Sequence, residues 1–193
     1  MKYVWPELQW ALPLSDGRSL CIYRDVDRTC ESIATFSRKD AETYREVYHK
    51  FGQMMEAFLA PATYVDPIPA PLQAAKLEAH ELGREISEFS SKSPRKIVDE
   101  LFENEQLRAL MLFVSAHWGL ERDVDGIGYL AVLMCQRATN YRLCVGGSHM
   151  LAQALGKIIS ENKGEIWGSR IIKRIVLEDG TATGVEMDDG TVM

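Results

Sequence analysis

The sequence predicts an α+β fold, with a helix-rich region carrying a small mixed sheet and a shorter tail that ends in a β-hairpin. Three observations predict it. Apolar residues through the middle of the chain recur at helical spacing. Short apolar runs flank Asp16-Gly17 near the front, and further ones flank Asp179-Gly180 and Asp189-Gly190 at the back. Asp-Gly supplies the positive-φ turn that a tight hairpin needs.

The elements follow in order. Leu8 to Leu14 and Ser19 to Tyr23 read as hairpin strands around Ser15-Asp16-Gly17-Arg18, and Ser32 to Phe36 reads as a third strand. Ser37 is placed to cap a helix whose N3 residue is Asp40, an acidic variant of the capping box. That helix carries Ala41, Tyr44, Val47, Tyr48, Phe51, Met54, Met55 and Phe58 on one face and is expected to stop before Pro61. Prolines 61, 67, 69 and 71 mark a connector. Leu72 to Phe89 is a second helix. A third has Ser93 as N-cap and Pro94 at its first position, and buries Ile97, Leu101 and Phe102. Leu107 to Leu120 and Tyr129 to Ala138 are further helices. After Gly146 the composition shifts. A glycine turn opens a helix from Met150 to Ile159, then a short strand at Gly164-Glu165-Ile166, then hairpin strands. The domain boundary is therefore expected between residues 1–145 and 146–193.

Composition narrows the function classes. With 193 residues, 46% apolar and 26% charged, the chain fits one globular domain or one and part of another. A net charge of −6 argues against nucleic acid as a partner. The longest apolar tract, Leu107 to Leu120, contains Arg108 and His117 and is too short for a transmembrane span. The start of the chain lacks the apolar stretch of a signal peptide. Cys21, Cys30, Cys135 and Cys144 have no metal-ligand spacing and read as free, buried thiols of a cytoplasmic protein, with no metal site.

Four groups of residues are candidates for chemistry. Gly126-Ile127-Gly128-Tyr129-Leu130-Ala131 matches the dinucleotide fingerprint on paper, but Glu121 to Asp125 before it cannot be the buried strand that the motif requires. It reads instead as a loop entering a helix. Gly146-Gly147-Ser148 has two readings: a simple turn with Ser148 as N-cap, or a place where backbone approaches a ligand closely. Of the histidines, His49, His80, His117 and His149, none has triad partners nearby in sequence; His117 reads as a core residue, and His149 stands beside the glycine turn. Trp5, Trp10, Tyr44, Tyr48, Phe51 and Trp118 either pack the core or line an apolar tunnel. The catalytic residues are unknown from these patterns.

The tail carries a resemblance. Gly146-Gly147, Leu151 and Leu155 on the helix, Ile172-Lys173-Arg174-Ile175, and Gly184-Val185 followed by Asp189-Gly190 stand in the order of an internal piece of the phytoene desaturase, carotene isomerase and amine oxidase-like flavoenzymes. The first 145 residues resemble the substrate domain of that group more loosely, through the front hairpin and the Ser37 to Ala41 helix start. The resemblance implies an FAD-dependent oxidoreductase acting on C–C bonds of an apolar substrate. It makes residues 146–193 a partial Rossmann-like FAD-domain segment. It puts Gly146 and Gly147 near the flavin ring where the two domains meet, and the backbone of Ile172 at the adenine.

The glycine-rich pyrophosphate loop of the group does not occur among these residues. The chain is therefore expected not to retain FAD alone and to be inactive without a complementing FAD-domain polypeptide or homo-oligomer. The competing expectation is a non-catalytic interaction module, or one subunit of a split flavoenzyme.

Overall fold

The computed structural model describes residues 1–193. Two compact units form, one of Tyr3–Leu143 and one of Met1–Lys2 with Cys144–Met193. The element order is β1 (Tyr3–Val4), β2 (Leu8–Pro13), β3 (Ser19–Tyr23), α1 (Val26–Ala34), α2 (Arg38–Met54), a π-helical turn (Met55–Leu59), α3 (Ala60–Thr63), α4 (Ala70–Glu78), α5 (Glu81–Ser90), α6 (Pro94–Leu101), α7 (Glu105–His117), α8 (Tyr129–Arg137), β4 (Leu143–Cys144), α9 (His149–Glu161), β5 (Ile172–Glu178) and β6 (Thr181–Met187). The strands pair as β1 with β4, β2 with β3, and β5 with β6. Helices dominate and the sheets are small, so the α+β class holds.

In the larger unit β2 and β3 form the expected antiparallel hairpin, with Trp10 opposite Ile22 and Leu12 opposite Leu20. Gly17 takes φ +85°, and the Asp16 carboxylate accepts from the backbone N–H and the guanidinium of Arg18. Alternation along β3 sends Leu20 and Ile22 fully into the core.

In place of the expected third strand at Ser32 to Phe36, Ser32 to Ala34 close helix α1 and Thr35 is its C-cap. The Asp25 side chain caps it by accepting from Asp27 and Arg28 N–H. Thr29, Cys30 and Ile33 are its buried residues, at helical spacing. A good cap upstream overrides the β-rich composition here. Ser32 nonetheless lies beside β3, where its hydroxyl accepts from Cys21 N–H.

Helix α2 starts at the expected cap, with Ser37 Oγ accepting from Asp40 N–H at 3.1 Å, but the reciprocal half of the box does not form: Ser37 N–H donates to the Ile33 carbonyl and the Asp40 carboxylate is engaged elsewhere. Ala41, Tyr44, Val47, Phe51 and Met54 form its buried stripe. The helix does not stop before Pro61. It widens into the π-helical turn and continues as α3, with Pro61 inside. Proline has no N–H to donate to the preceding turn, and a widened turn is one way a helix accommodates that. The expected single helix from Leu72 to Phe89 is two. His80 breaks it by turning extended, and its Nδ1 then caps α5 by accepting from Leu82 N–H. Gly83 makes the close α4–α5 approach possible, because a Cβ there would overlap the Leu77 carbonyl.

Helix α6 begins at Pro94 with Ser93 as its N-cap. It buries Ile97 and Val98, and Phe102 follows them into the core; Leu101, expected to be buried, is only half-buried. Asn104 caps α7 by accepting from Leu107 N–H. Helices α2, α6, α7 and α8 surround the main core of Tyr44, Phe51, Ile97, Phe102, Leu107, Met111 and Cys135. Across it the Tyr44 hydroxyl, fully buried, donates to the Cys135 carbonyl at 2.8 Å.

Asp40 is the one fully buried charged residue of this core. One carboxylate oxygen accepts from Glu103 N–H at 2.9 Å, the other from Asn104 N–H at 2.8 Å. The clamp ties the start of α2 to the start of α7 across more than sixty residues of chain.

In the smaller unit β5 and β6 form an antiparallel hairpin with Ile175 opposite Val185. Gly180 has φ +78° and Asp179 φ +49°, the conformation the Asp-Gly pair predicted. No strand forms at Gly164-Glu165-Ile166. The β5–β6 sheet takes in no third strand from this segment.

Two variants probe this packing by denaturant unfolding. Asp40→Ala leaves the Glu103 and Asn104 N–H groups without their acceptor and is expected to cost roughly 1–3 kcal/mol, and Asp40→Asn, which keeps one acceptor oxygen, distinctly less. Gly83→Ala forces α4 away from α5 and is expected to lower stability by roughly 1–3 kcal/mol.

Candidate functional site

The Gly146-Gly147 turn sits in the smaller unit, immediately before α9. Both glycines are left-handed, at φ +92° and +101°. Gly147 N–H donates to the Cys144 carbonyl at 3.0 Å, and Met150 N–H returns to the Gly147 carbonyl at 3.2 Å. A Cβ on Gly146 would press on the Met150 side chain, and one on Gly147 on the His149 ring, each at 3.1 Å. The turn is thus doubly specified for glycine, by torsion and by space. Ser148 holds the N-cap position of α9, but its side chain makes no capping hydrogen bond. The start of the helix is shaped by backbone rather than by a hydroxyl.

Ile172 opens β5 opposite Met187, at a register shift between it and Arg174. Its side chain is 60% exposed. Next to it, Lys173 and Arg174 both donate to Glu186. These hydrogen bonds, Lys173's first, hold the Glu186 carboxyl below its usual range.

The same unit exposes much apolar surface. Helix α9 has no buried residue, and Leu151, Leu155, Ile158 and Ile159 are all exposed along it. So are Ile171, Ile175 and Leu177 of the hairpin region. An amphipathic helix with no covered apolar side is an incomplete element.

The paper match to a dinucleotide fingerprint fails on geometry as well as on sequence. Gly128 N–H donates to the Lys92 carbonyl at 2.8 Å. A Cβ on Gly128 would overlap the carbonyl oxygens of Phe89 and Lys92. The close approach serves packing against acceptor oxygens, which repel phosphate. The reading as a loop entering α8 holds.

The histidines are scattered. His117, which reads from sequence as a core residue, is exposed at the end of α7. The apolar tract there is interrupted at its last turn, where the His117 ring meets Trp10 edge-on at 5.2 Å. His149 is exposed beside Gly147. No group of three or more His, Cys, Asp or Glu is arranged to hold a metal. The four cysteines are free; Cys30 and Cys135 are buried, and Cys21 and Cys144 are only half-buried. Burial pushes the Cys135 thiol up to about 12 and raises that of Cys30.

The six aromatics considered for a tunnel do not build one. Tyr44 and Phe51 are core. Trp10 packs edge-on with Phe113 and Tyr141, and Trp118 meets Tyr141. Trp5 lies under the Arg142 guanidinium. A pocket of about 520 Å³ lies elsewhere in the larger unit, walled by Phe58, Leu59, Val65, Ile68, Ile86 and Tyr129 together with the polar Asp66, Gln73, Lys76 and Ser90. Sequence reasoning missed it, because a proline-rich connector reads only as a loop. The available signal was the near-absence of charge from Ala57 to Ala75.

No protein-family profile matches the chain. It is 34% identical over 186 residues, 96% of its length, to a limonene dehydrogenase subunit of Castellaniella defragrans. It is 23% identical over 191 residues, 92% of its length, to hydroxyneurosporene desaturase of Cereibacter sphaeroides. The chain is similar to desaturase-like oxidoreductases. It spans about one third of the length of these relatives, 34% and 36% respectively. No helix is long and apolar enough to cross a membrane.

The buried thiols give a pH test. An unfolded Cys135 ionises near pH 9, whereas the folded thiol keeps its proton to about 12. The folded state therefore binds more protons between those values. Its stability is expected to be undiminished by this group below pH 9 and to fall as pH rises towards 12. The Cys135→Ser variant, measured by denaturant midpoint against pH, should show a shallower decline, since a hydroxyl does not titrate there.

Proposed function

We propose that this chain is part of an FAD-dependent, phytoene desaturase-like oxidoreductase that acts on C–C bonds of an apolar substrate. The observation that carries the reading is the 34% identity to the limonene dehydrogenase subunit across 96% of the chain. The double left-handed turn at Gly146-Gly147 supports it from the structure, because it presents side-chain-free backbone at the start of α9. In this reading that backbone lies near the flavin ring, and the backbone of Ile172 borders the adenine. FAD, when bound, supplies the hydride acceptor. The residues of this chain bind and shape; no side chain here is assigned a proton transfer.

The fit to FAD is partial. The two glycines and the strand end suit the margins of a flavin site, but Gly128 faces carbonyl oxygens and no other glycine-rich phosphate cradle occurs. The 193 residues are therefore proposed to hold FAD only when another polypeptide segment supplies the phosphate site. The relative's name as a subunit supports a complementing polypeptide. The free cysteines suit a reducing cytoplasm. A second reading, a non-catalytic interaction module, is favoured by the uncovered apolar residues of α9 and β5.

The test is flavin retention. The chain is mixed with excess FAD, desalted and measured for visible flavin absorbance, alone and co-expressed with a polypeptide matching the remainder of the limonene dehydrogenase relative. A colourless chain alone and a yellow complemented protein are expected. Yellow protein from the chain alone would overturn the incomplete-site reading, and colourless protein from both would overturn the flavoprotein reading. In the complemented protein Gly147→Val, which cannot keep φ +101° without strain, is expected to reduce flavin occupancy. Ile172→Val should leave it unchanged, because the proposed contact is through backbone.

A further inference from the structure

Asp-Gly occurs four times in the chain, at Asp16-Gly17, Asp125-Gly126, Asp179-Gly180 and Asp189-Gly190. All four glycines are left-handed, and a Cβ on any of them would meet open space. All four aspartates are exposed. Three of the pairs are nonetheless tied down. The Asp16 carboxylate accepts from the N–H and the guanidinium of Arg18, while Gly17 N–H donates to the Leu14 carbonyl at 3.1 Å. The Asp189 carboxylate accepts from Thr191 N–H at 2.9 Å and from Arg170 at 2.8 Å, while Gly190 N–H donates to the Met187 carbonyl at 3.1 Å. Both oxygens of Asp125 are held by the Lys96 ammonium, at 3.0 and 2.9 Å. Asp179-Gly180 differs from the other three. The Asp179 carboxylate accepts no hydrogen bond and pairs with no cation, and Gly180 N–H has no acceptor. Asp179 alone among these aspartates also stands at positive φ, +49°, a conformation that is unfavourable for a residue with a side chain.

We propose that Asp179 is the site at which this chain rearranges spontaneously to isoaspartate. The Gly180 amide nitrogen attacks Asp179 Cγ and loses its proton. The side-chain oxygen leaves as water, and a cyclic succinimide closes. Water then adds back at one of the two ring carbonyls. Breaking the bond from nitrogen to Cγ restores aspartate. Breaking the bond from nitrogen to the main-chain carbonyl carbon leaves the chain running through Cγ, which is isoaspartate with a free α-carboxylate. One water leaves and one returns, and nothing is oxidised. The step needs a carboxyl that can take up a proton, because an ionised carboxylate is a poor electrophile, and an amide free to move towards it. Hydrogen bonds and cations that favour the ionised form therefore protect. Those from Arg18 to Asp16, and those at Asp189 with Thr191's first, hold both carboxyls below their usual range. Glycine leaves the attack unhindered at all four pairs, so bonding rather than residue type makes the selection. The product adds a methylene to the main chain of the turn between Glu178 and its partner Thr181. Turn length sets hairpin register, so the β5–β6 ladder is loosened from that end. The new carboxylate suits a repair enzyme that methylates isoaspartyl groups, which is the class of partner this site would take. The proposal is independent of flavin, so it stands or falls apart from the flavoprotein reading.

Ageing the whole folded chain in mildly acidic buffer tests this. Isoaspartate is tagged by methyl transfer from S-adenosylmethionine with a purified isoaspartyl methyltransferase and located by peptide mapping. Isoaspartate at position 179 is expected to accumulate, and to exceed that at positions 16, 125 and 189 together. In denaturant all four positions should accumulate it at similar rates, because each is then an unrestrained Asp-Gly pair. Lys96→Met frees the Asp125 carboxylate. It should raise isoaspartate at position 125 of the folded chain severalfold, leave position 179 unchanged and keep the circular dichroism spectrum of the wild type. The Lys96 side chain is 58% exposed, so the variant is expected to fold. The proposal is overturned if the folded chain forms no isoaspartate at position 179 or forms more of it elsewhere. It is also overturned if the ranking of the four positions is the same in the folded and denatured chains, or if Lys96→Met leaves position 125 unchanged.

Discussion

The buried Asp40 carboxylate fixes the frame on which the larger unit is built. It enters the core without a cationic partner, and its two oxygens are taken by the N–H groups of Glu103 and Asn104. Burying a charge this way is tolerable only with complete hydrogen bonding. The consequence is geometric. Once the first turn of α2 is locked to the first turn of α7, the stripe Tyr44, Val47 and Phe51 has one orientation in which to face Phe102, Leu107 and Met111. The Tyr44 hydroxyl then reaches the Cys135 carbonyl and holds α8 in the same layer. The surface pairs around the clamp, such as Lys39 with Glu103, are exposed and add little by comparison.

The smaller unit has no such anchor. Its hairpin is held by its own ladder, by the Gly180 turn and by exposed ion pairs at Glu186. Its helix buries nothing. A unit of this kind is locally specified but not packed, because turn chemistry acts over a few residues while burial needs a partner surface. The glycine turn that bears the proposed flavin contact belongs to this unpacked unit, so its torsions come from the two glycines themselves.

The sequence was most legible where a local device decides the structure. The Asp16-Gly17 and Asp179-Gly180 turns, the Ser37 cap and the Ser93-Pro94 helix start could all be read from a few adjacent residues. It was least legible where distant residues decide. Ser32 to Phe36 has strand-like composition, yet the Asp25 cap eight residues before Ile33 makes Ser32 to Ala34 helix. Pro61 signals an end, yet a widened turn carries the helix past it. Gly164 to Ile166 has the pattern of a strand, yet neither edge of the β5–β6 hairpin pairs with it. In the candidate site, Gly146 and Gly147 were visible because positive φ is a property of the residue type. The cavity was not, because its walls come from the π-helical turn, the connector, α4, α5 and Tyr129.

By itself the sequence determined the α+β class, the Asp16-Gly17 and Asp179-Gly180 turns, the Ser37 and Ser93 caps and the presence of a glycine turn before α9, since each rests on torsional preference or a hydrogen bond within a few residues. The tertiary structure alone decided that Asp40 is a buried clamp, that Gly128 packs against carbonyl oxygens and cannot cradle a phosphate, that the tunnel candidates Tyr44 and Phe51 are core, and that a pocket forms beside the proline-rich connector. Those outcomes depend on which backbone groups and side chains meet between segments far apart in the chain, and no local pattern of residue types encodes such a meeting.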